Sequence, residues 1–396
     1  MSRPRPLRVA LIGTGFMGAA HSHAWRTAPH VFDLPPVDRS VICGRDPQRT
    51  REAAAKFGWL ESSVDWREVV ARDDIDIVDI CTVGETHAEM AEVALAAGKH
   101  VICEKPLANT VEEAQRMTRA AQRAQARGVV SMVAFNYRRV PALAYARELI
   151  SQGRLGEVRH VRAQYLQDWI ADPDFPLVWR LQKDKAGSGA LGDIGAHVID
   201  AAEYLTGQRI ERVSAMLHTF VSERPLAENM VGLSGTGGAD RGEVTVDDAA
   251  LIHATLSGGA IAAIEATRFA TGRKNSVRIE INGSRGSVAF DFESMNELLF
   301  HDADLADIEG GFRRIYVTEP DHPYAGAWWP PGHGLGYDHT FVHEVVDFVR
   351  AIGSGTPPTP SFAEGLHVQR VLEAVEASAR TGSTWTAIDQ DEEGRS

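Results

Sequence analysis

The sequence lacks the features that mark secreted and membrane-spanning proteins. Its 396 residues include only three cysteines, Cys43, Cys81 and Cys103, which have neither metal-ligand spacing nor a C-x-x-C pair. Three cysteines are too few for a disulfide framework. No stretch reaches the roughly 18 apolar residues of a membrane span, and Met1–Pro6 leads into a strand without a signal-peptide apolar core. We therefore expect a cytosolic protein with buried free thiols and no membrane partner.

Positive charge is scarce as well. The 41 Lys and Arg residues are outnumbered by 54 Asp and Glu, and the formal net charge of −13 argues against a nucleic-acid partner. With 44% hydrophobic and 24% charged residues, the composition is that of an ordinary globular protein. A single core stops growing at about 250–300 residues. We therefore expect two domains, residues 1–137 and residues 138–396.

A glycine-rich loop follows the first predicted strand. Leu7–Ile12 is apolar and β-prone, and G-x-G-x-x-G comes directly after it, before a helix that runs to about Ala28. In this context the glycines permit a tight turn and close approach to a pyrophosphate, which binds at the helix N-terminus. The predicted cofactor contacts are Gly13, Thr14, Gly15, Phe16, Met17 and Gly18.

Strand–helix units continue to about residue 137. Further strands are expected at 41–43, 75–81, 100–103 and 129–135, and helices at 47–57, 87–97 and 110–127, with Asp46 as the N-cap of the first. This alternation predicts an α/β chain whose N-terminal domain is a Rossmann doubly wound parallel sheet.

The second half has a different pattern. Short β segments recur at 158–165, 212–221, 246–256, 260–269, 275–282 and 286–292, with hairpin turns near Asn282-Gly283 and Ser284-Arg285-Gly286. Helices are expected at 191–205, 339–352 and 363–379, and the polar tail after Ile388 is predicted to be disordered. This predicts a C-terminal α+β domain with a mostly antiparallel, open sheet.

The end of the second strand bears on the choice of cofactor. NAD-selective domains usually place Asp or Glu there, to bind the ribose 2′-hydroxyl. This sequence has Gly44 followed by Arg45, which suits a 2′-phosphate and slightly favours NADP. Asp46 lies close by, and Arg45 could stack on adenine instead, so NAD and NADP both remain open.

Two further segments carry chemistry. Glu104-Lys105-Pro106 follows a strand that ends at the carboxyl edge of the sheet, where such sheets bind ligands. Asp193 and His197 are four residues apart on a predicted helix that follows a glycine-rich run, so they share a face. An imidazole beside a carboxylate is suited to general acid–base catalysis.

These motifs together resemble the glucose-fructose oxidoreductase, inositol dehydrogenase and rhizopine-catabolism family of sugar oxidoreductases. The resemblance covers nearly the whole chain and rests on the Gly13–Gly18 loop, Cys81-Thr82 with His87, Glu104-Lys105-Pro106, and Asp193-x-x-x-His197. Residues 134–139, 165–169 and 179–180 resemble a bacterial subgroup that oxidises the C3 hydroxyl of an anhydrosugar with NAD. The resemblance implies a dehydrogenase for a secondary hydroxyl of a sugar, or of an anhydrosugar such as levoglucosan.

The resemblance also implies roles for individual residues. Lys105 would bind the reacting hydroxyl, with a cis bond before Pro106, and His197 would accept the proton while Asp193 orients substrate and base. Lys105 could instead accept the proton, and both assignments stay open. The hydride would pass to the nicotinamide. Beyond the loop, the implied cofactor contacts are Gly44, Arg45, Cys81, Thr82, Val83, His87, Glu104, Lys105, Pro106, Asn136, Trp179 and Arg180.

The substrate-pocket candidates are Tyr137, Gln167 and Trp169, together with Lys105 and the Asp193/His197 pair. An aromatic ring can pack against the apolar face of a sugar, while polar side chains bind its hydroxyls. Gln167 and Trp169 are two apart on an extended segment and should face one side, with Asp168 pointing away. The alternative interpretation is a core aromatic and a strand-end polar residue.

Two histidine groups have spacings that superficially suit zinc. His339-x-x-x-His343-Glu344 has helical ligand spacing, and His21-Ser22-His23 adds a second pair. Neither has a matched third ligand or the H-E-x-x-H order, so we predict no metal site.

Two alternative functions remain. One is an inositol dehydrogenase or another free-sugar or glycoside dehydrogenase. The other is a non-catalytic sensor of a dinucleotide or sugar, which the presence of Lys105, Asp193 and His197 disfavours. We also expect the open sheet face to pair in a homo-oligomer, either a dimer or a tetramer.

Overall fold

The computed structural model of the chain describes residues 5–231 and 234–389. These divide into two compact units. Unit 1 contains the described residues up to Arg139 together with Gly336–Leu366, and unit 2 contains Val140–Leu335 and the described residues from His367 onward. The predicted disordered tail lies outside the described residues, apart from Asp389.

Unit 1 is built on a six-stranded parallel sheet. Its strands are β1 (Leu7–Ile12), β2 (Val37–Cys43), β3 (Glu61–Ser63), β4 (Ile77–Ile80), β5 (His100–Glu104) and β6 (Ser131–Ala134). They lie in the order β3-β2-β1-β4-β5-β6. The order reverses between β1 and β4, which is where doubly wound sheets bind dinucleotides. The predicted Rossmann fold is confirmed.

Helices connect these strands. They are α1 (Phe16–Val31), α2 (Pro47–Phe57), α3 (Trp66–Ala71), α4 (His87–Ala96) and α5 (Val111–Gln125). Asp46 caps α2, as predicted, by accepting the Arg49 N–H at 2.8 Å. Three cysteines, Cys43, Cys81 and Cys103, are free and buried, as expected from the sequence.

A late segment of the chain also belongs to unit 1. Helix α9 (Tyr337–Ser354) packs along α1. The Phe341 ring lies 5.6 Å from the His21 ring, and His343 meets Phe32 edge-on at 5.8 Å. Sequence order alone gives no indication that this helix covers the first helix of the chain.

Unit 2 contains a nine-stranded sheet. Its strands are β7 (Val158–Leu166), β8 (Ile210–His218), β11 (Ala249–Leu256), β12 (Ile261–Thr267), β13 (Ser276–Gly283), β14 (Gly286–Asp291), β15 (Glu297–Asp302), β16 (Arg313–Tyr316) and β17 (Thr386–Ala387). Their order is β16-β15-β14-β13-β7-β12-β11-β8-β17, and among the described strands of this sheet only the β7–β12 pair is parallel. A separate hairpin pairs β9 (Glu223–Val231) with β10 (Ser234–Glu243). The predicted mostly antiparallel sheet is confirmed.

The remaining helices are α6 (Pro141–Ser151), α7 (Lys183–Ala186), α8 (Ala196–Thr206) and α10 (Phe362–Arg380), which contains the boundary between the units. One face of the unit 2 sheet packs on α6 and α8. Cross-strand register places Met216, Leu251, Ile261 and Leu299 on the other face, and all four are exposed. Among the described residues, no helix combines the length and apolar character needed to cross a membrane.

Candidate functional site

The glycine-rich loop has the shape of a phosphate cradle. A Cβ on Gly13, whose φ is +122°, would lie 2.5 Å from the Cys81 carbonyl oxygen, and one on Gly18 would lie 2.0 Å from the Gly13 oxygen. Both positions therefore require glycine for packing. Gly15 has no neighbour within 4 Å of its Cβ position, and no side chain caps α1 there. Because the first amides of α1 have no capping side chain, the loop fits a pyrophosphate.

The end of β2 explains the missing acidic residue. A Cβ on Gly44 would lie 2.5 Å from Thr50 Oγ1 and 2.8 Å from Thr14 Cγ2, so no carboxylate side chain fits at this position. The Asp46 carboxylate is already engaged as the α2 cap. Arg45 is exposed and makes no ion pair or hydrogen bond that is resolved among the described residues.

The loops after β4 and β5 are joined by a buried histidine. His87 lies with Nδ1 3.1 Å from the Pro106 oxygen and Nε2 3.2 Å from the Thr82 oxygen. Burial lowers the pKa of His87, although its contacts with the Thr82 and Pro106 carbonyl oxygens oppose the shift. The Lys105–Pro106 bond is cis, in agreement with the family resemblance. His87 thus holds the Thr82 and Pro106 loops together at the carboxyl edge of the sheet.

Below Lys105 lies a group that sequence reasoning missed. His21 Nδ1 is 2.9 Å from Asp79 Oδ2, and His21 Nε2 is 3.1 Å from Glu104 Oε1. Asp79 also accepts from Trp25 Nε1 at 2.7 Å, and Glu104 Oε2 accepts the Lys105 N–H at 3.1 Å. In the sequence, the one feature that hinted at this group was Asp79, a second acidic residue inside an otherwise apolar strand. We call His21, Asp79 and Glu104 the buried relay.

The group formed by His21, Asp79 and the neighbouring Cys81 does not fit a metal ion. His21, Asp79 and Cys81 offer ligand atoms within 4.8 Å of one another, the single such group found in the described part of the chain. Both ring nitrogens of His21 already face carboxylates, and burial raises the pKa of the Cys81 thiol well above its usual range. A protonated thiol and an occupied imidazole are poor ligands.

The other histidine group considered for zinc is dispersed. His339 Nδ1 accepts the Gly336 N–H at 3.0 Å, whereas His343 Nδ1 faces the Arg139 carbonyl oxygen at 2.9 Å in the core. Burial lowers the pKa of His343 to about 3. Glu344 is also buried, and neither of its carboxyl oxygens has a hydrogen-bond partner among the described groups.

The remaining cofactor candidates lie in both units. In unit 1, Asn136 is buried and donates to Thr340 Oγ1 at 2.8 Å, and Tyr137 beside it is also buried. In unit 2, the Arg180 guanidinium lies 4.3 Å from the centroid of the Trp179 ring.

In unit 2, Asp247 organises the segment that carries Asp193 and His197. Its carboxylate accepts the N–H groups of Gly189 at 2.7 Å and Leu191 at 2.8 Å. A Cβ on Gly189 would lie 1.7 Å from the Asp247 carbonyl oxygen, so only glycine permits this contact. Burial raises the pKa of Asp247, although the two N–H groups oppose the shift.

The predicted helix over 191–205 begins differently from expectation. Leu191–Gly195 forms a π-helical turn, in which the Ala196 N–H bonds to the Leu191 oxygen, and α8 follows. Single π-helical turns are frequently found at functional sites. Asp193 lies in this turn and the buried His197 in the first turn of α8.

Arg268 is a second residue that sequence reasoning missed. Its guanidinium is fully buried, and Nη1 lies 3.5 Å from Asp193 Oδ2. Nη2 donates to the Asp247 oxygen at 3.2 Å, and the guanidinium lies 5.8 Å from the Trp169 ring centroid. One arginine therefore contacts both the carboxylate candidate and the aromatic candidate.

The substrate candidates of unit 2 form one connected group. Gln167 Oε1 accepts from Trp169 Nε1 at 3.0 Å, and Gln167 Nε2 donates to Asn275 Oδ1 at 2.9 Å. Tyr165, whose hydroxyl donates to the same Asn275 oxygen at 2.7 Å, has its ring 5.8 Å from that of His197. Asp168 instead pairs with Lys274 Nζ at 2.8 Å.

Comparison with known proteins places these features in context. Residues 7–133 match the oxidoreductase family model with an NAD-binding Rossmann fold, and residues 143–289 match the GFO/IDH/MocA C-terminal domain. The chain is 45% identical to the levoglucosan dehydrogenase of Pseudarthrobacter phenanthrenivorans, over 97% of this chain and 98% of that protein.

Solved structures show the same similarity. An oxidoreductase domain protein from Kribbella flavida is 60% identical with a TM-score of 0.93. Levoglucosan dehydrogenase in complex with NADH and levoglucosan is 43% identical with a TM-score of 0.90. Each match covers 98% of this chain and 100% of the other.

Proposed function

Because the chain belongs to the GFO/IDH/MocA family of NAD-binding oxidoreductases, we propose that it oxidises the C3 hydroxyl of an anhydrosugar such as levoglucosan. The observation that carries this proposal is the placement of Lys105 directly after β5, at the ligand-binding edge of the sheet that bears the glycine-rich loop. The similarity to levoglucosan dehydrogenase supports the choice of substrate.

We assign the chemical steps to side chains of this chain. Lys105 binds the reacting hydroxyl, and His197 accepts its proton. Asp193 orients the hydroxyl and the imidazole. The bound nicotinamide cofactor supplies the hydride acceptor. Removal of His197 should therefore lower kcat by about 10²–10⁴-fold, the usual effect of a lost general base, and a loss of only a few-fold would assign the proton to Lys105.

Tyr137, Gln167 and Trp169 are proposed to contact the sugar. Trp169 is partly exposed, and its indole N–H is bound to Gln167, so we propose that the exposed part of its ring contacts the sugar. The Gln167 side chain is in turn held by Asn275. Such a fixed pair suits a rigid bicyclic sugar, because little side-chain entropy is lost on binding.

The test is a spectrophotometric screen of NAD and NADP with levoglucosan, glucose, inositols and glycosides. We expect reduction with levoglucosan. Faster turnover of an inositol would favour the alternative suggested by the 27% identity to the inositol 2-dehydrogenase of Rhizobium meliloti. Measured cofactor binding without reduction of any substrate would favour a sensor.

Replacement of Lys105 tests the proposed role directly. Lys105→Ala should lower kcat by about 10³-fold, in the range of lost positioning and acid–base effects, while NADH binding stays measurable. Lys56→Ala, at an exposed position on α2, is the matched control and should leave kcat unchanged. Turnover by Lys105→Ala within a few-fold of the unsubstituted enzyme would refute the role.

The chain belongs to an NAD-binding family, and we propose that it uses NAD and discriminates only weakly against NADP, because Arg45 can bind the 2′-phosphate. No carboxylate fits at Gly44, and Asp46 is engaged as a cap, so no acidic group opposes a 2′-phosphate. Arg45→Ala should weaken NADPH binding about tenfold, the loss of one charge-assisted contact, and leave NADH binding within about twofold. Equal effects on both cofactors, measured by fluorescence titration, would contradict this.

We also propose that the chain forms a homo-oligomer through the open face of the unit 2 sheet. Met216, Leu251, Ile261 and Leu299 are exposed on that face, which is the kind of apolar patch that marks an interface. Light scattering should report the molar mass of a dimer or a tetramer, and Leu251→Asp should lower that molar mass. A monomer at micromolar concentration would contradict the proposal.

A further inference from the structure

The buried relay joins three elements of unit 1 whose relative placement matters for the reaction. His21 lies on α1, the helix that begins at the glycine-rich loop. Asp79 lies on β4, and Glu104 is the last residue of β5. All three side chains are almost completely buried. Hydrogen bonds thus connect α1, the helix that begins at the glycine-rich loop, with Glu104, the residue before Lys105.

The hydrogen bonds of His21 fix its protonation. A carboxylate accepts hydrogen bonds and cannot donate one, so a ring that faces carboxylates on both sides must donate from both nitrogens. Burial opposes a charged ring, but the interactions with neighbouring groups, led by the Asp79 carboxylate, together raise the pKa of His21 well above its usual range. The imidazolium compensates two buried carboxylates, which would otherwise repel each other.

Glu104 passes this constraint to the lysine. Its Oε1 is bound to His21 Nε2, and its Oε2 accepts the Lys105 N–H. With both oxygens engaged, the carboxylate cannot rotate without breaking a charge-assisted bond. The main chain of Lys105 is therefore anchored by a side chain whose own position depends on α1.

We propose that His21 is a positioning residue for the reaction. Through Glu104, it holds the main chain of Lys105 at a fixed position relative to α1. The proposal rests on the proposed role of Lys105. His21 itself is almost completely buried, and both of its ring nitrogens face carboxylates of this chain. Displacing a reacting group by about 1 Å can cost about 10²-fold in rate.

Two replacements of His21 separate the halves of the relay. An asparagine amide reproduces the position of Nδ1, and so keeps the bond to Asp79 and loses the bond to Glu104. A glutamine amide reproduces Nε2, and so keeps Glu104 and loses Asp79. Both remove the same charge, and both should therefore cost similar stability. If the hydrogen bond between His21 and Glu104 positions Lys105, only His21→Asn should lose most of its turnover.

We expect kcat to fall about 10²-fold in His21→Asn and about tenfold or less in His21→Gln, in line with the positional sensitivity of such reactions. NADH binding should stay within about threefold in both, because the glycine-rich loop keeps its own contacts. His23→Asn is the matched control, because His23 is two residues away on the same helix and partly exposed. Equal kcat losses in the two His21 variants would overturn the proposal.

A second pair covers the case in which His21 variants do not fold. Glu104→Gln can still accept the Lys105 N–H and can donate to a neutral His21, so the geometry survives without charge. Glu104→Ala removes the anchor. We expect a loss in kcat below about tenfold for the first and about 10²-fold for the second. Folded Glu104→Ala with nearly full turnover would refute the inference.

Hydrogen exchange keeps the inference distinct from the proposed function. The Lys105 amide should exchange slowly in the unsubstituted protein and in His21→Gln, and faster in His21→Asn, whatever substrate the enzyme uses. If no sugar is oxidised but this exchange pattern is observed, the proposed function is refuted, whereas the positioning of Lys105 by His21 and Glu104 is supported. If the Lys105 amide exchanges at the same rate in all three proteins, the positioning role of His21 is refuted.

Discussion

The two regions proposed to handle the proton are held by different interactions. In unit 1, Lys105 follows a strand whose end is fixed by side chains, namely the imidazolium of His21 and the carboxylates of Asp79 and Glu104. In unit 2, the segment that carries Asp193 is fixed mainly by the backbone, through two N–H groups donated to Asp247. The first arrangement depends on paired side-chain charges, and the second on backbone hydrogen bonds to one carboxylate and on close packing at Gly189.

This difference has an energetic consequence. Buried ions are stable only when each has a partner, so unit 1 is sensitive to any additional charge near the relay. In unit 2 the donors to the Asp247 carboxylate are uncharged backbone amides, and the segment is sensitive to the loss of this acceptor or to added bulk at Gly189. The predictions below test the two sensitivities in turn.

The largest expected effect concerns Glu344, which faces the charged groups of unit 1. Burial raises its pKa to about 8, with Arg139 and His21 opposing the shift and Glu104 and Asp79 adding to it. The folded state therefore holds a proton that the unfolded state releases near pH 4.5. Stability is then present at low pH and is lost as the pH rises towards about 8, by about 5 kcal/mol in all.

Glu344→Gln should remove most of this pH dependence. Because the amide does not ionise, the variant should gain about 4 kcal/mol relative to the unsubstituted protein between about pH 5 and about pH 9. Chemical denaturation at both pH values measures the difference. Parallel stability curves for the two proteins would show that Glu344 does not titrate in this range.

The same contrast explains what could be predicted from the sequence. The parallel sheet, the Asp46 cap and the antiparallel second sheet follow from local patterns of apolar residues, glycines and caps, and the structure confirms them. The glycine-rich run before Asp193 was also visible. Such features depend on residues that are close together in the sequence, and periodicity and spacing therefore predict them.

The buried relay and Arg268 could not be predicted in this way. His21, Asp79 and Glu104 come from three separate elements, and Glu344 reaches unit 1 through α9, more than two hundred residues later in the chain. Arg268 follows a strand with no motif around it. Their proximity is produced by tertiary packing, and each looks like an ordinary polar residue in its local sequence.

In unit 2, the Asp247 carboxylate holds the segment before Asp193 through two backbone hydrogen bonds. Asp247→Ala leaves the buried N–H groups of Gly189 and Leu191 without their acceptor, and each such group costs about 1–3 kcal/mol. We expect a loss of about 3 kcal/mol, seen as a lower denaturation midpoint, together with reduced kcat because the π turn carries Asp193. Asp247→Asn, which keeps one acceptor oxygen, should lose about half as much.

The smallest effect calibrates this comparison. Asp46 is an exposed aspartate that accepts one N–H at the start of α2, so Asp46→Ala should cost about 1 kcal/mol, the usual value of an N-cap. Asp247 makes the same kind of bond twice and in a buried position. Because the chemistry matches, the difference between the two variants measures what burial adds to an amide–carboxylate contact. If Asp247→Ala lost no more than Asp46→Ala, the Asp193 segment would be held by something other than its backbone, and the contrast with the charged anchor of Lys105 would fail.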